Sequence, residues 1–413
     1  MQKNFYPYIA LLVLVATTLA CASSISKGSS QPSSSDQVAT VVAATLQALT
    51  PVASGGETPV PTSVPASEGI LPHALYFTNN DAAGIMQVFR LAPDGKTLAQ
   101  LTSEKTPVGS YDVSLTDGNI VYVANNQLLL INADGSGRRM LVDGGVIDPN
   151  DQFSTSLTNP VFSPNGQTIA YGYKGLNLYA VSTGVSNLVL AQQANPSSPS
   201  LPGVTYSPRK YSPDGTKLLV STIIPNSDGS ATGIYYISGN VLLPMDGDGM
   251  RVCCSDQAWT PDGSGLYTAN ATVGFFASGL WKIDTATGKS TTLLPTDAGG
   301  GAYNLAAFPY LAPDGNLYFF YNTAPNSGGS VDHAPLQMVR TAPDGVTSRA
   351  ILRPDTFTLL NEALWAPDAS FVIAAEAPIQ DVYQGGLIDL YYTDSTKPMI
   401  SLLPFGQQLK WGQ

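Results

Sequence analysis

A short hairpin signature recurs along the chain, and it constrains the fold more than any other feature. In Tyr211–Thr222, the sequence YSPDGTKLLVST places a Pro-Asp-Gly turn between two apolar stretches. Proline presets the first central position of a turn, and glycine adopts the positive φ that follows. Leu218 and Val220 then alternate with polar neighbours, which predicts a half-buried strand. A lone hairpin cannot bury its own apolar face, so its copies are expected to pack against each other.

The residue before each turn recurs at nearly constant spacing. Six complete copies carry it at Leu115, Phe162, Tyr211, Trp259, Leu311 and Trp365. Their separations are 47, 49, 48, 52 and 54 residues, and Trp411 follows Trp365 after a further 46. Trp411 has no chain left to form a second strand. The last strand is therefore predicted to pair with the first strands, near Ala74–Thr78, and to close a ring.

Repeats of this length fit the four-stranded blade of an all-β propeller. A second, interleaved series contributes seven turns, one more than the first, which favours seven blades with one of them split between the chain ends. Ring closure removes the exposed edge strands that would otherwise invite aggregation. The sequence therefore predicts a seven-bladed β-propeller over residues 71–413. Six or eight blades remain alternatives, because Leu115 and Leu311 match the pattern least well.

The aromatic-Ser-Pro-Asp-Gly-Lys signature resembles the TolB-like and WD40-like (PD40) repeats of bacterial β-propeller lipoproteins. The resemblance implies the fold, but it leaves the activity open, because such propellers include binding proteins and enzymes. It also implies that the innermost strand of each blade lines a central channel, with the residue three before each aromatic near the entrance. These residues are Asp112, Asn159, Pro208, Asp256, Phe308, Glu362 and Gln408. We take the polar ones, Asp112, Asn159, Asp256, Glu362 and Gln408, as candidate binding residues at the channel rim.

The acidic members of this series suggest two different roles. If Asp112, Asp256 and Glu362 converged, they would raise each other's pKa values or attract a cation such as Ca²⁺. The alternative is that each carboxylate caps a turn or faces water. No further cofactor and no definite metal site is predicted. The only histidines are His73 and His333, and no G-x-S-x-G motif occurs, which disfavours a Ser-His-Asp triad and histidine-based metal chemistry.

The N-terminus reads as a targeting segment. Lys3 precedes the apolar run Ile9–Leu19, and Cys21 follows in TLAC, which resembles the lipobox of bacterial lipoproteins. We therefore predict a signal peptide over residues 1–20 and lipidation of Cys21, with an ordinary signal peptide as the alternative. Residues 21–70, rich in Ser, Thr and Pro, are predicted to form a flexible tether. These features place the chain outside the cytoplasm, in the bacterial cell envelope, with the lipid as its membrane contact.

Two further features bear on chemistry and partners. Cys253 and Cys254 are adjacent, and in an exported chain they can form a strained vicinal disulfide or remain as free thiols. The formal charge is −11 and no Lys/Arg cluster is visible, so a nucleic-acid partner is not expected.

The sequence favours a monomeric, non-catalytic, membrane-tethered propeller that binds a protein, peptide or glycan in the envelope. The alternative is an extracytoplasmic carbohydrate-active enzyme that uses the acidic rim, since a carboxylate pair needs no histidine.

Overall fold

The computed structural model describes residues 69–195, 202–225, 230–245, 256–274 and 276–413. The predicted signal peptide, Cys21, nearly all of the tether, Cys253 and Cys254 lie outside these ranges, so the statements about them stay predictions. The described residues contain 28 strands and one short helix, α1 (Gln152–Thr155). Within them, no helix is long and apolar enough to cross a membrane.

The strands form antiparallel sheets in which neighbours along the chain are usually neighbours in space. The first three strands are β1 (Leu75–Asn80), β2 (Met86–Leu91) and β3 (Leu98–Gln100). The next sheet contains β4 (Ser110–Val113), β5 (Ile120–Ala124), β6 (Gln127–Ile131) and β7 (Arg139–Asp143). After α1, a sheet contains β8 (Thr158–Phe162), β9 (Thr168–Gly172), β10 (Gly175–Ala180) and β11 (Val185–Ala191).

The same arrangement continues through the second half of the chain. One sheet contains β12 (Thr205–Tyr211), β13 (Lys217–Ile223), β14 (Ser230–Tyr236) and β15 (Val241–Pro244). The next contains β16 (Asp256–Trp259), β17 (Gly265–Asn270), β18 (Gly279–Asp284) and β19 (Ser290–Leu294). A five-stranded sheet contains β20 (Asp297–Gly299), β21 (Ala302–Leu311), β22 (Leu317–Pro325), β23 (Gln337–Thr341) and β24 (Ala350–Ile351). The last strands are β25 (Leu360–Trp365), β26 (Phe371–Glu376), β27 (Gly386–Tyr392) and β28 (Ile400–Trp411).

The long strand β28 closes the ring, as the sequence predicts. Its first half pairs with β27, where Leu403 lies opposite Ile388, and its second half pairs with β1, where Trp411 lies opposite Leu75. The two chain ends therefore share one seven-stranded sheet, in the order β25-β26-β27-β28-β1-β2-β3. If β28 is counted in two blades, the described strands make six four-stranded groups and one five-stranded group, in keeping with the predicted seven blades.

Apolar side chains from adjacent blades meet to form the core. Tyr76 and Val88 of the first strands pack in one buried cluster with Tyr111 and Tyr122 of the next sheet. The residues before the turns take part in this packing, and Phe162, Tyr211, Trp259 and Trp365 are all buried. Two indole groups also tie successive blades together. Trp365 Nε1 donates to the carbonyl oxygen of Phe308, and Trp411 Nε1 to that of Trp365, both at 2.8 Å.

The turns between the first two strands share one geometry in five blades, whereas in the turn between β4 and β5 the Gly118 amide donates to the carbonyl oxygen four residues earlier. In Gly166, Gly215, Gly263 and Gly315, φ lies between 66° and 81°, and each amide donates to the carbonyl oxygen three residues earlier. Ala369 occupies the same place with a φ of 56°, although it carries a Cβ.

One predicted alignment is wrong. Val113 pairs with Ile120 as Phe162 pairs with Ile169, so Val113, and not Leu115, is the equivalent residue. Val113 is 4% exposed whereas Leu115 is 57% exposed. The turn glycine lies five positions after Val113 but four after Phe162, and Leu115 lies only three before it, so the alignment on Leu115 is two residues too late. The residue equivalent to Asn159 is therefore Ser110, three before Val113, and Asp112 lies two residues further along the strand.

Candidate functional site: the entrance to the central channel

The innermost strands are β4, β8, β12, β16, β21, β25 and the second half of β28. Five of them, β8, β12, β21, β25 and β28, contain an irregularity in register near the predicted rim position. Three rim residues there adopt positive φ without being glycine: Asn159 at 43°, Phe308 at 50° and Gln408 at 57°. A β-bulge of this kind frees backbone N–H groups from the ladder, and they need acceptors elsewhere.

The acceptors come from the preceding blade. Asn159 N donates to Ser110 Oγ at 3.2 Å, and Phe308 N donates to Asp256 Oδ2 at 3.0 Å. Glu362 accepts from two amides, those of Gln408 at 2.8 Å and Leu409 at 2.9 Å. Ser110, Asp256 and Glu362 thus perform the same task in three blades: each polar side chain fastens its own strand to the bulge of the next.

Asp112 connects the first complete blade to two others. Its Oδ2 accepts from the Phe162 amide at 2.7 Å, and its Oδ1 accepts from Lys410 Nζ at 2.7 Å. The Tyr111 hydroxyl donates to the carbonyl oxygen of Gln408 at 2.7 Å. Polar contacts near the channel therefore join the first and last innermost strands, in addition to the pairing of β28 with β1.

The candidate residues do not all surround one cavity. A cavity of about 500 Å³, which we call the mouth cavity, is lined by Asn159, Glu362 and Gln408 together with Arg209 and further polar residues. Asp256 lines two other cavities, of about 450 and 280 Å³. The larger of these, which we call the inner cavity, also has Arg209 in its wall.

The predicted convergence of Asp112, Asp256 and Glu362 around one cavity is therefore not seen. In the part of the chain that the structure describes, no group of three or more His, Cys, Asp or Glu side chains could hold a metal ion. The carboxylates accept hydrogen bonds from the protein itself, in the ways given above, and these contacts account for their presence without a bound cation.

Burial changes the acid–base properties of the channel. It raises the pKa of Asp256 to about 7, against the opposing effects of the Phe308 amide and the Arg209 charge. Burial also raises the pKa of Glu362, although two amides donate to that carboxylate. The same desolvation lowers the pKa values of Arg209 and Lys210, since it disfavours every charged form.

A loop outside the repeat contributes the exposed part of the mouth cavity. Asn361 Nδ2 donates to the carbonyl oxygens of Val382 and Gly385, both at 2.8 Å, and so fixes the segment between them. This segment presents Tyr383, which is 63% exposed, and Gln384 to the cavity. The Tyr383 ring lies 5.2 Å from that of His333, centroid to centroid.

The prediction of rim residues from the repeat does not include Tyr383 or Arg209. Tyr383 lies far from any copy of the hairpin signature, and nothing in the sequence alone marks it. Arg209 follows a proline in an inner strand, and a proline there indicates a bulge, where an extra side chain can reach the channel.

The fold and its lined channel define the chain as a β-propeller. No family model matches it, and no curated protein matches it. Among solved structures, a protein from Lactobacillus plantarum is 17% identical, with a TM-score of 0.50, and the match covers 83% of this chain and 99% of that one. An oligogalacturonate lyase in complex with manganese is 11% identical, with a TM-score of 0.50 and coverage of 82% and 86%. A putative TolB from Agrobacterium tumefaciens is 16% identical, with a TM-score of 0.41 and coverage of 74% and 99%. Identities this low show the fold alone.

Proposed function

We propose that this chain is a non-catalytic propeller, tethered to the membrane through Cys21, that binds a protein, peptide or glycan partner of the bacterial cell envelope at the mouth cavity. The N-terminal targeting pattern supports the location. The propeller supports a binding role because its inner strands surround a concave, polar-lined cavity of about 500 Å³, the usual setting for a ligand site.

The composition of the mouth cavity carries this proposal. Its wall combines the amide side chains of Asn159, Gln384 and Gln408 with the exposed ring of Tyr383. Amides hydrogen-bond equally well to peptide groups and to sugar hydroxyls, and an exposed aromatic ring packs on either. The carboxylate in the wall, Glu362, has both oxygens engaged by backbone amides, which suits a structural role better than proton transfer.

Site-specific photo-crosslinking in cells tests the position of the site. Full-length chain would carry a photoreactive phenylalanine analogue in place of Tyr383 or, as a matched control, in place of Val185, an exposed residue on the outer strand β11. We expect a discrete adduct in envelope fractions from position 383 and none from position 185. Adducts at 185 alone, or at neither position, would contradict a binding site at the mouth.

The tether is tested separately. Metabolic labelling with a clickable fatty acid is expected to label the wild-type chain and not a Cys21→Ser variant. An unlabelled wild-type chain would contradict lipid anchoring and would leave the crosslinking result intact.

One observation favours the alternative, a carbohydrate-active enzyme. The pKa of Asp256, about 7, suits a general acid at neutral pH. Release of reducing sugar from envelope polysaccharides by the wild type, abolished in Asp256→Asn, would favour the enzyme. Equal, background release by both proteins would support the binding protein.

A further inference from the structure

Two adjacent cations enter the channel from one blade. In β12, Pro208 pairs with Val220 and Lys210 with Leu219, so Arg209 is an extra residue without a partner across the ladder. A bulge interrupts the alternation of side chains along a strand, so neighbouring residues can face the same side. Arg209 and Lys210 both line the inner cavity, and both are exposed to its solvent.

Neither cation has a counter-ion of its own. Within the described residues, Arg209 and Lys210 make no ion pair or hydrogen bond through their side chains. The acid that acts most on Lys210 is Asp112, but Asp112 already binds Lys410 Nζ at 2.7 Å. Lys410 in turn repels Lys210. The acid that acts on Lys210 is therefore already paired with another cation, Lys410.

The acid next to Arg209 neutralises it only in part. Asp256 accepts from the Phe308 amide, and burial raises its pKa to about 7, so near neutral pH a large fraction of these carboxyls carries a proton. A partly desolvated cation without full compensation is unfavourable, and an anion from outside the chain would offset this cost.

We propose that the channel binds a ligand through a carboxylate group, which Arg209 holds together with Lys210. This inference names the chemistry of the partner at the mouth cavity and therefore rests on the proposed function. Arg209 lines the mouth cavity as well as the inner cavity, so it stands where the two meet. The end of a ligand that passes Tyr383 first therefore reaches the guanidinium of Arg209.

The geometry of the groups favours a carboxylate. The guanidinium presents parallel N–H donors that match the two oxygens of a carboxylate, and Lys210 adds a point charge beside it. Gln384 and the side-chain oxygens of Asn159 and Gln408 face the neutral, polar remainder of the ligand, because Asn159 Nδ2 donates to Ser207 Oγ and Gln408 Nε2 donates to the carbonyl oxygen of Gly109. Glu362 also lines the mouth cavity, and its charge disfavours a highly charged polyphosphate. An acidic peptide and an acidic sugar share the chemistry that this site recognises.

Isothermal titration with small probes tests the inference without any knowledge of the partner. Glutarate supplies two carboxylates, and glutaramide has the same shape without charge. At pH 7 and low salt we expect glutarate to bind the full chain and glutaramide to give no heat. Arg209→Gln is expected to weaken glutarate binding by about tenfold or more, because a charge-assisted bidentate contact is lost. Lys210→Gln should weaken it less, and Arg209→Lys should retain part of it.

Lys289→Gln is the matched control, because it removes one positive charge at an exposed position outside the channel. We expect it to bind glutarate as the wild type does. Circular dichroism of each variant checks that it folds, and if Arg209→Gln does not fold, Lys210→Gln carries the test. Equal binding by Arg209→Gln and the wild type, binding of inorganic phosphate alone, or no difference between glutarate and glutaramide would overturn the inference. Crosslinking at position 383 that persists in any of these cases would leave the proposed function standing.

Discussion

The two ends of the innermost strands behave in opposite ways, although both contain aspartates. At the turn end, Asp262 is exposed and accepts hydrogen bonds from the Thr260 hydroxyl at 2.6 Å and the Ser264 hydroxyl at 2.8 Å, which lower its pKa to about 2. At the channel end, burial raises the pKa of Asp256 to about 7. The same residue type therefore stabilises a turn as an anion in one place and is held partly protonated in the other.

The turn end has features that recur in every copy of the repeat, whereas the channel end has features that differ from blade to blade. At the turn end, an acceptor side chain two residues before a donor amide stabilises the turn. Both groups belong to the same hairpin, so no contact with another blade is required. The channel end needs contacts between blades, since the bulge of one strand takes its acceptor from its neighbour. We test this contrast with four predictions about substitutions at the two ends. Equal effects at both ends would contradict it.

The largest effect is expected at Glu362. Replacing it with alanine leaves the amides of Gln408 and Leu409 without acceptors at the ring closure. An unsatisfied, poorly solvated donor costs about 1–3 kcal/mol, so we expect Glu362→Ala to lower the free energy of unfolding by about 2–4 kcal/mol. Urea denaturation followed by circular dichroism measures it. Glu362→Gln keeps one acceptor oxygen and should lose about half as much. A loss below about 0.5 kcal/mol for the alanine variant, the range of ordinary surface changes, would contradict the role assigned to this carboxylate.

The second effect depends on pH and has a definite sign. The pKa of Asp256 is about 7 in the folded chain, above its ordinary value near 3.8, so the folded state binds more protons between these values. Stability contributed by this group is therefore greatest at low pH and falls as the pH rises from about 4 to about 7. Asp256→Asn removes the titration. We expect the stability of this variant relative to wild type to increase by about 2 kcal/mol between pH 5 and pH 8.

Asp262→Asn serves as the comparison for that pH series. The pKa of Asp262 is lowered to about 2, so its contribution is present above its ordinary pKa and is lost only as the pH falls toward 2. The difference between Asp262→Asn and wild type should therefore stay constant from pH 5 to pH 8. A parallel pH dependence for the two variants would mean that the channel does not desolvate Asp256.

These contrasts also explain what the sequence reveals. The turns can be predicted because proline, aspartate and glycine act within five residues, and Trp411 can be assigned to the repeat because it follows Trp365 after 46 residues. The bulges at Asn159, Phe308 and Gln408 depend on acceptors about fifty residues earlier in the chain, and no local pattern encodes such a contact. Register errors arise for the same reason: Gly118 follows its strand one position later than the other turn glycines, and an alignment on LTDG then takes Asp112 in place of Ser110 as the rim residue.

The site is less predictable than the fold. The repeat directs attention to one position per strand, and this finds Glu362, Asp256 and Gln408. Arg209 and Lys210 escape it because the selection takes only Pro208, three residues before Tyr211, and the bulge places the next two residues on the channel. The prolines at positions 160, 208 and 309 are the usable signal, since proline in an inner strand has no amide to give to the ladder.

The third prediction returns to the turn end. Gly215 has a φ of 70°, where an L-residue is strained, and an added Cβ would lie 3.3 Å from Pro164 Cδ. We expect Gly215→Ala to lower the free energy of unfolding by about 1 kcal/mol. Gly239→Ala is the control, because Gly239 is exposed, its φ is not positive, and a Cβ there meets nothing closer than 3.6 Å. Equal losses for the two variants would show that the turn conformation is not the cause.

The smallest effect concerns Ala369, which holds the same turn position with a φ of 56° and is buried with Trp365. Glycine there would relieve about 1 kcal/mol of backbone strain, but it would also remove a buried methyl group worth about 0.8 kcal/mol and free the unfolded chain. We therefore expect Ala369→Gly to change the free energy of unfolding by less than about 0.5 kcal/mol. Ala366→Gly, at a fully buried position without positive φ, loses the methyl without relief and should be clearly less stable. Equal decreases in the denaturation midpoints of both variants would show that backbone strain at Ala369 is negligible. The buried methyl group of Ala369 would then not be needed to offset such strain.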